Sequence, residues 1–242
     1  MSNASNPYRT WGTIAADAEV SERTQFIRQT YLHLGGAVLV FMALEALLLS
    51  IPGVGEVVMS VMGSRWGWLL VLGGFMGVSY LASSWANSAT SVSTQYLGLG
   101  LYVVAEAVIF VPLLYVAQNF APDNVNVIGI AGLLTLVVFT GLTAIVFITG
   151  ADFSFLRNVL WLGGLVAMGV IVCGMIFQFT LGIVFIAALI ALAGGYILYD
   201  TSNVLHHYRI GQHVAASLAL FASVALLFWY MVQLVLSLTS RD

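Results

Sequence analysis

Charge is what this chain has least of. Only 7% of its 242 residues are charged and 61% are hydrophobic, whereas a soluble domain carries about 25% charged residues. That leaves too little polar surface to cover a globule. With a mean hydropathy of +1.02, the composition indicates an integral membrane protein. Lysine is absent, and the seven basic residues are scattered arginines. No basic run exists to hold a phosphate backbone, so nucleic acid is not an expected partner. The net charge of −3 carries little weight in so apolar a chain. The one cysteine, Cys173, lies in an apolar run and cannot close an internal disulfide; it is expected to be a small packing residue. Serine and threonine are abundant, but no His-plus-acid motif accompanies them. No phosphate loop, dinucleotide fingerprint or metalloprotease helix occurs. Neither an enzyme activity nor a cofactor is expected.

What the chain does have is long apolar runs. A helix needs about 20 apolar residues to cross the hydrocarbon core. Seven runs qualify, at about 31–51, 66–85, 97–117, 126–149, 158–178, 181–205 and 213–237. Pro52-Gly53 closes the first. The string Asn87 to Gln95 separates the second from the third, and Ala121-Pro122-Asp123-Asn124 the third from the fourth. Gly150-Ala151-Asp152 precedes the fifth, Gln178-Phe179-Thr180 reads as a tight turn, and Tyr208 to Gln212 leads into the last. The expected fold is an all-α integral membrane protein of seven transmembrane helices. A polar tail over residues 1–29 precedes a membrane domain over 30–242. The first apolar run is long for a signal-peptide core and no A-x-A site follows it, so it is read as a retained span.

Orientation follows from the arginines, which favour the cytoplasmic side. With the N-terminus inside, Arg9, Arg23, Arg28, Arg157 and Arg209 fall on the cytoplasmic face, and Arg65 and Arg241 fall outside. An odd number of spans then puts the C-terminus outside. Small residues that let helix backbones approach occur as Gly73 and Gly77 on the second span. They recur as Ala187, Ala191 and Gly195 on the sixth, and as Ala215, Ala219 and Ser223 on the seventh. These ridges predict that spans six and seven are interior.

Three acids lie inside the runs: Glu45, Glu106 and Asp200. A carboxylate in a membrane helix is expensive and marks a functional site by default. No Arg or Lys lies in the runs to neutralise them, so each either holds a proton or meets a cation. By depth they form a ladder, with Asp200 towards the inside, Glu106 near the midplane and Glu45 in the outer half. Asp200 is expected on one polar face of its helix with Tyr196, Asn203 and His207, at spacings of four, three and four residues. The plainer reading is that Asp200 bonds to a neighbouring helix and stabilises the bundle. Pro112 is expected to bend the third span and free the Val108 carbonyl. His206, His207 and His213 gather at the cytoplasmic ends of spans six and seven, where His33 could join them. They suit pH response better than a metal site, for which the spacing is poor.

The string Tyr196-Ile197-Leu198-Tyr199-Asp200-Thr201-Ser202-Asn203-Val204-Leu205-His206-His207 resembles the signature of the Bax inhibitor-1, or transmembrane Bax-inhibitor-motif, family. Asp152 to Leu156 and Glu106 to Leu114 are similar to its conserved segments after the fourth helix and in the third. The resemblance covers about residues 25 to 238. It implies a seven-helix bundle with the last helix enclosed by the other six. It implies a calcium leak gated by protons in some members. For bacterial members of the inner membrane, it implies association with a membrane-embedded AAA protease whose activity they modulate. Eukaryotic members suppress cell death from the endoplasmic reticulum. The family's pH sensor is an aspartate pair on helices six and seven. Asp200 matches the first, while the second falls at about Ala222, so this sequence lacks it.

Two functions therefore stand side by side. One is a calcium or proton-linked cation leak with Asp200 as inner gate and Glu106 on the path. The other is a non-transporting regulator that binds a membrane protein such as an AAA protease, with the polar tail as its contact.

Overall fold

In a computed structural model, residues 12–89, 91–122, 125–178 and 181–239 are described. Among the described residues eight α-helices follow one another: α1 (Val20–Leu49), α2 (Val54–Met62), α3 (Arg65–Ala86), α4 (Val92–Asn119), α5 (Val127–Thr149), α6 (Leu156–Phe177), α7 (Ile183–His206) and α8 (His213–Thr239). All but α2 are long and apolar enough to cross a membrane. The side on which α1 begins is called the N-side below, and the opposite side the far side.

Two boundaries differ from the sequence reading. The first span was expected from about residue 31, after a tail ending at 29, yet α1 begins at Val20. At about 1.5 Å per residue its 30 residues outrun the hydrocarbon core. The first turns, with Glu22, Arg23 and Arg28, therefore need no apolar face. The short α2 occupies what read as a bare connector after Pro52-Gly53, with Gly53 at φ 83° leading into it.

Side chains at the helix starts satisfy free backbone donors. Ser64 accepts from the Gly67 N–H, Ser91 from Thr94 and Asn126 from Gly129. Gly150 ends α5 in the left-handed region, at φ 61°. The turn expected at Gln178–Thr180 opens with Gln178 also left-handed, while residues 179 and 180 lie outside the described residues. α4 runs unbroken through Pro112.

The core sits where α4 and α8 meet. These two helices carry the longest rows of buried side chains, among them Val103, Phe110, Leu220, Phe221 and Leu227. α8 is packed by α1, α3, α4, α5 and α7, whereas α6 packs mainly on α7. Five neighbours thus make the broad packing around the last helix, and Ala167 of α6 joins Tyr230 of α8 in a smaller cluster with Ile186 and Leu189 of α7. α7 is less interior than its small residues suggested, since Ala187 and Ala191 are exposed. Gly73 and Gly77 likewise meet nothing, and the close approach on α3 is made instead by Gly98 of α4, set against the backbone of Ala82 and Ala86.

On the N-side, residues before α1 strap the α7–α8 connector. Gly12 and Ala15 donate N–H bonds to the Ile210 and Tyr208 carbonyls at 2.7 and 2.8 Å, and Ile210 returns one to Thr13. Ile14 and Arg209 form an antiparallel bridge. Part of the predicted tail is therefore docked; residues 1–11 lie outside the described residues.

Candidate functional site: an acid-lined cavity

A cavity of about 760 Å³ lies among α3, α4, α6, α7 and α8. It runs along nearly the whole of α3 and α8, from Asn87, Tyr208 and Ala215 on the N-side to Trp68, Leu181 and Gln233 on the far side. Asp200 and Glu106 both line it. The rest of the lining is mainly aromatic and aliphatic, with Tyr102, Tyr196, Tyr199, Tyr208 and Tyr230 and the neutral polar side chains of Ser83, Asn87, Ser223 and Gln233 among it. No Lys, Arg or His is among its lining residues. The two carboxyls therefore face the same space without a basic partner, in a low-dielectric wall that strengthens every charge interaction.

Asp200 is 9% exposed and Glu106 7%. The Ser223 hydroxyl on α8 donates to Asp200 Oδ2 at 2.5 Å. Tyr102, one turn before Glu106, lies beside the Glu106 carboxyl and within electrostatic reach of Asp200. Tyr208 closes the N-side end; burial, with the Asp200 carboxylate and Tyr199 nearby, pushes its phenol well above the usual range.

Glu45 is 5% exposed, and neither of its oxygens meets a hydrogen-bond partner. It is not among the residues that line the cavity. The acid ladder thus has two rungs in one chamber, with the third elsewhere in the bundle.

The polar face on α7 divides. The Tyr196 hydroxyl donates to the Leu160 carbonyl on α6 at 2.9 Å and still lines the cavity. Asp200 turns to Ser223. Asn203 is half-buried outside the lining, and its carbonyl accepts from the His207 and Tyr208 N–H groups. His207 caps α7 at φ −121°, where the helical period no longer sets its direction. Its Nε2 lies 3.2 Å from Asp152 Oδ2 rather than near Asp200.

Asp152 organises a second cluster, outside the spans. It accepts from the Ser154 N–H at 2.9 Å and the Ser202 hydroxyl at 3.2 Å, while the Phe153 N–H donates to Ser202 at 2.9 Å. The Ser154 amide, aided by His207, holds the Asp152 carboxyl down at about 2. These bonds tie the α5–α6 loop to the end of α7. His206 stays with α7, its Nδ1 3.0 Å from the Ser202 carbonyl, while His33 and His213 form a separate pair with rings 5.0 Å apart, and His33 bonds the Tyr96 hydroxyl at 2.8 Å. Among the described residues no three His, Cys, Asp or Glu side chains converge as metal ligands.

Sequence reasoning missed Ser223 as Asp200's partner. It had been read as one of three small residues on a packing ridge, of which it is the polar member. That polarity was the available signal, because a hydroxyl on a buried face needs a partner. Ala222, where the family's second aspartate was aligned, lines the cavity beside it.

The family model described as "Inhibitor of apoptosis-promoting Bax1" matches residues 23–241. The chain is 27% identical to an uncharacterized protein of Neisseria meningitidis, over 74% of this chain and 78% of that one. It is 27% identical to the modulator of FtsH protease YccA of Escherichia coli, over 73% and 77%. It is 30% identical to Bax inhibitor 1 of Schizosaccharomyces pombe, over 72% and 64%. No solved structure matches.

Proposed function

The chain belongs to the family of inhibitors of apoptosis-promoting Bax1, and from that membership we propose that it is a membrane cation leak whose path is the acid-lined cavity. One observation carries this reading. Asp200 and Glu106 face a single space that extends from the N-side to the far side and contains no basic lining residue. Such a chamber favours cations over anions. Its carboxyls stand on different helices, supported by hydroxyls rather than gathered into a cage. A calcium ion wants six to eight oxygens for tight binding. A sparse pair at different depths holds a cation weakly, and conduction requires sites weak enough to leave. Asp200 is the N-side gate in this reading, and Glu106 the next station. In this reading the N-side faces the cytoplasm, which the arginine bias supports, and the membrane is a bacterial inner membrane, as for the inner membrane protein YccA of Escherichia coli. No catalysis is involved.

The test is calcium and proton flux into proteoliposomes. Asp200→Asn and Glu106→Gln should each lower flux, and flux equal to the parent in both would sink the reading.

A second reading is favoured by a relative, the modulator of FtsH protease YccA of Escherichia coli. Here the chain binds a membrane protease and alters its work, using its N-side face. The strap at residues 12–15 already shapes that face by pairing with 208–210. Deleting residues 2–17 should reduce co-purification of a membrane AAA protease. Undiminished recovery would count against this contact.

A further inference from the structure

A second cavity, of about 780 Å³, opens on the far side. Ser64, Met175 and Gln178 line it, and it reaches α4 at Pro112. Trp68 and Trp229 line both this vestibule and the acid chamber. Their rings stack at 6.5 Å with planes 23° apart. An aromatic partition therefore stands where the two spaces meet.

The two halves of the partition are held differently. Trp229 belongs to the enclosed α8, and Phe110 of α4 packs edge-on against it at 4.9 Å. Phe110 is in turn stacked on Phe228 at 5.7 Å. Trp68 sits in the first turns of α3, which packs broadly on α4 and touches α6 and α8 only lightly. A change at the Trp68 side chain alone would part the stack while Trp229 stayed in place. Apolar constrictions gate ions by excluding water, and two stacked indoles form such a surface.

We propose that the Trp68–Trp229 stack is the closed partition of the path, and that the path opens when Trp68 leaves Trp229. The proposal deepens the conduction reading and rests on it, but its geometry can be tested without ion flux. The Trp residues exclude; the carboxyls behind them select. Neither tryptophan needs to bind the ion.

The reporter is Ala222→Cys in a Cys173→Ser background, since Ala222 lines the acid chamber and Cys173 is exposed elsewhere. The probe is the impermeant cationic thiol reagent methanethiosulfonate ethyltrimethylammonium, applied from each side of vesicles of one orientation. Trp68→Ala should accelerate labelling from the far side several-fold and leave N-side labelling as it was. Trp68→Phe, which keeps an aromatic ring in the stack, should label like the parent. Trp68→Leu keeps apolar bulk and serves if the alanine variant does not fold; it too should label faster. Cation flux is measured on the same vesicles. Faster labelling with raised flux supports the partition and the leak together. Faster labelling with no flux in any variant supports the partition and removes the conduction reading. Unchanged far-side labelling in both Trp68→Ala and Trp68→Leu overturns the partition, whatever the flux.

Discussion

Ser223 on α8 places its hydroxyl 2.5 Å from Asp200 Oδ2 on α7, and this bond fixes the two helices to each other beside the cavity. Both residues are buried. Removing the donor leaves a buried carboxyl short of a partner, which costs about 1–3 kcal/mol. Ser223→Ala should therefore lower the melting temperature in nanodiscs, and Ser223→Thr should recover most of the loss. Equal melting of the alanine variant and the parent would show that the bond contributes nothing.

Ala222 stands next to that serine and faces the same chamber. Ala222→Asp would set a second carboxyl near Asp200, and two close carboxylates share a proton and titrate as a pair. Flux through the variant should depend more steeply on pH than flux through the parent. Adding Asp200→Asn should return the profile to a shallow one. If the double and single variants have the same profile, Asp200 is not the partner.

The spans were legible because lipid demands unbroken apolar length, and each of the seven runs became a helix. What lay outside the lipid was not. The first turns of α1 are polar because water surrounds them, so hydropathy alone read them as tail. Periodicity placed Asp200 and Tyr196 towards one chamber, but failed at His207, where the backbone leaves the helix. Small-residue spacing pointed to Gly73 and Gly77, which meet nothing, and passed over Gly98, which meets α3. Depth along a helix gave only an expected order of the acids across the bilayer. It could not say which of them share a space, because that depends on how α3, α4 and α7 are rotated about their axes.

Glu45 tests that last point. Its oxygens are buried without partners and it does not line the cavity. An unpartnered buried polar group destabilises, and replacing it with an apolar side chain of similar shape relieves the penalty, here by about 1–3 kcal/mol. Glu45→Leu should raise the melting temperature, and Glu45→Gln should leave cation flux unchanged. A loss of flux in Glu45→Gln comparable to that in Glu106→Gln would return Glu45 to the path.

Asp152 gives a pH prediction with a definite sign. Its carboxyl is held at about 2 in the folded chain against an ordinary 3.8, first by the Ser154 amide and then by His207. A depressed acid contributes to stability above its unfolded value and loses that contribution as pH falls through the folded one. The loop anchor should therefore be intact at neutral pH and released as pH drops from 3.8 towards about 2. Both partners are nearly half exposed, at 45% for Asp152 and 48% for His207. Solvent screening keeps the effect local to the loop. The Ser154 amide resonance in nanodiscs should titrate with a midpoint near about 2. Asp152→Asn should abolish the transition, and His207→Ala should move the midpoint up only part of the way, because the amide is the larger cause. A midpoint already at the ordinary carboxylate value in the parent would show that Asp152 does not hold the loop.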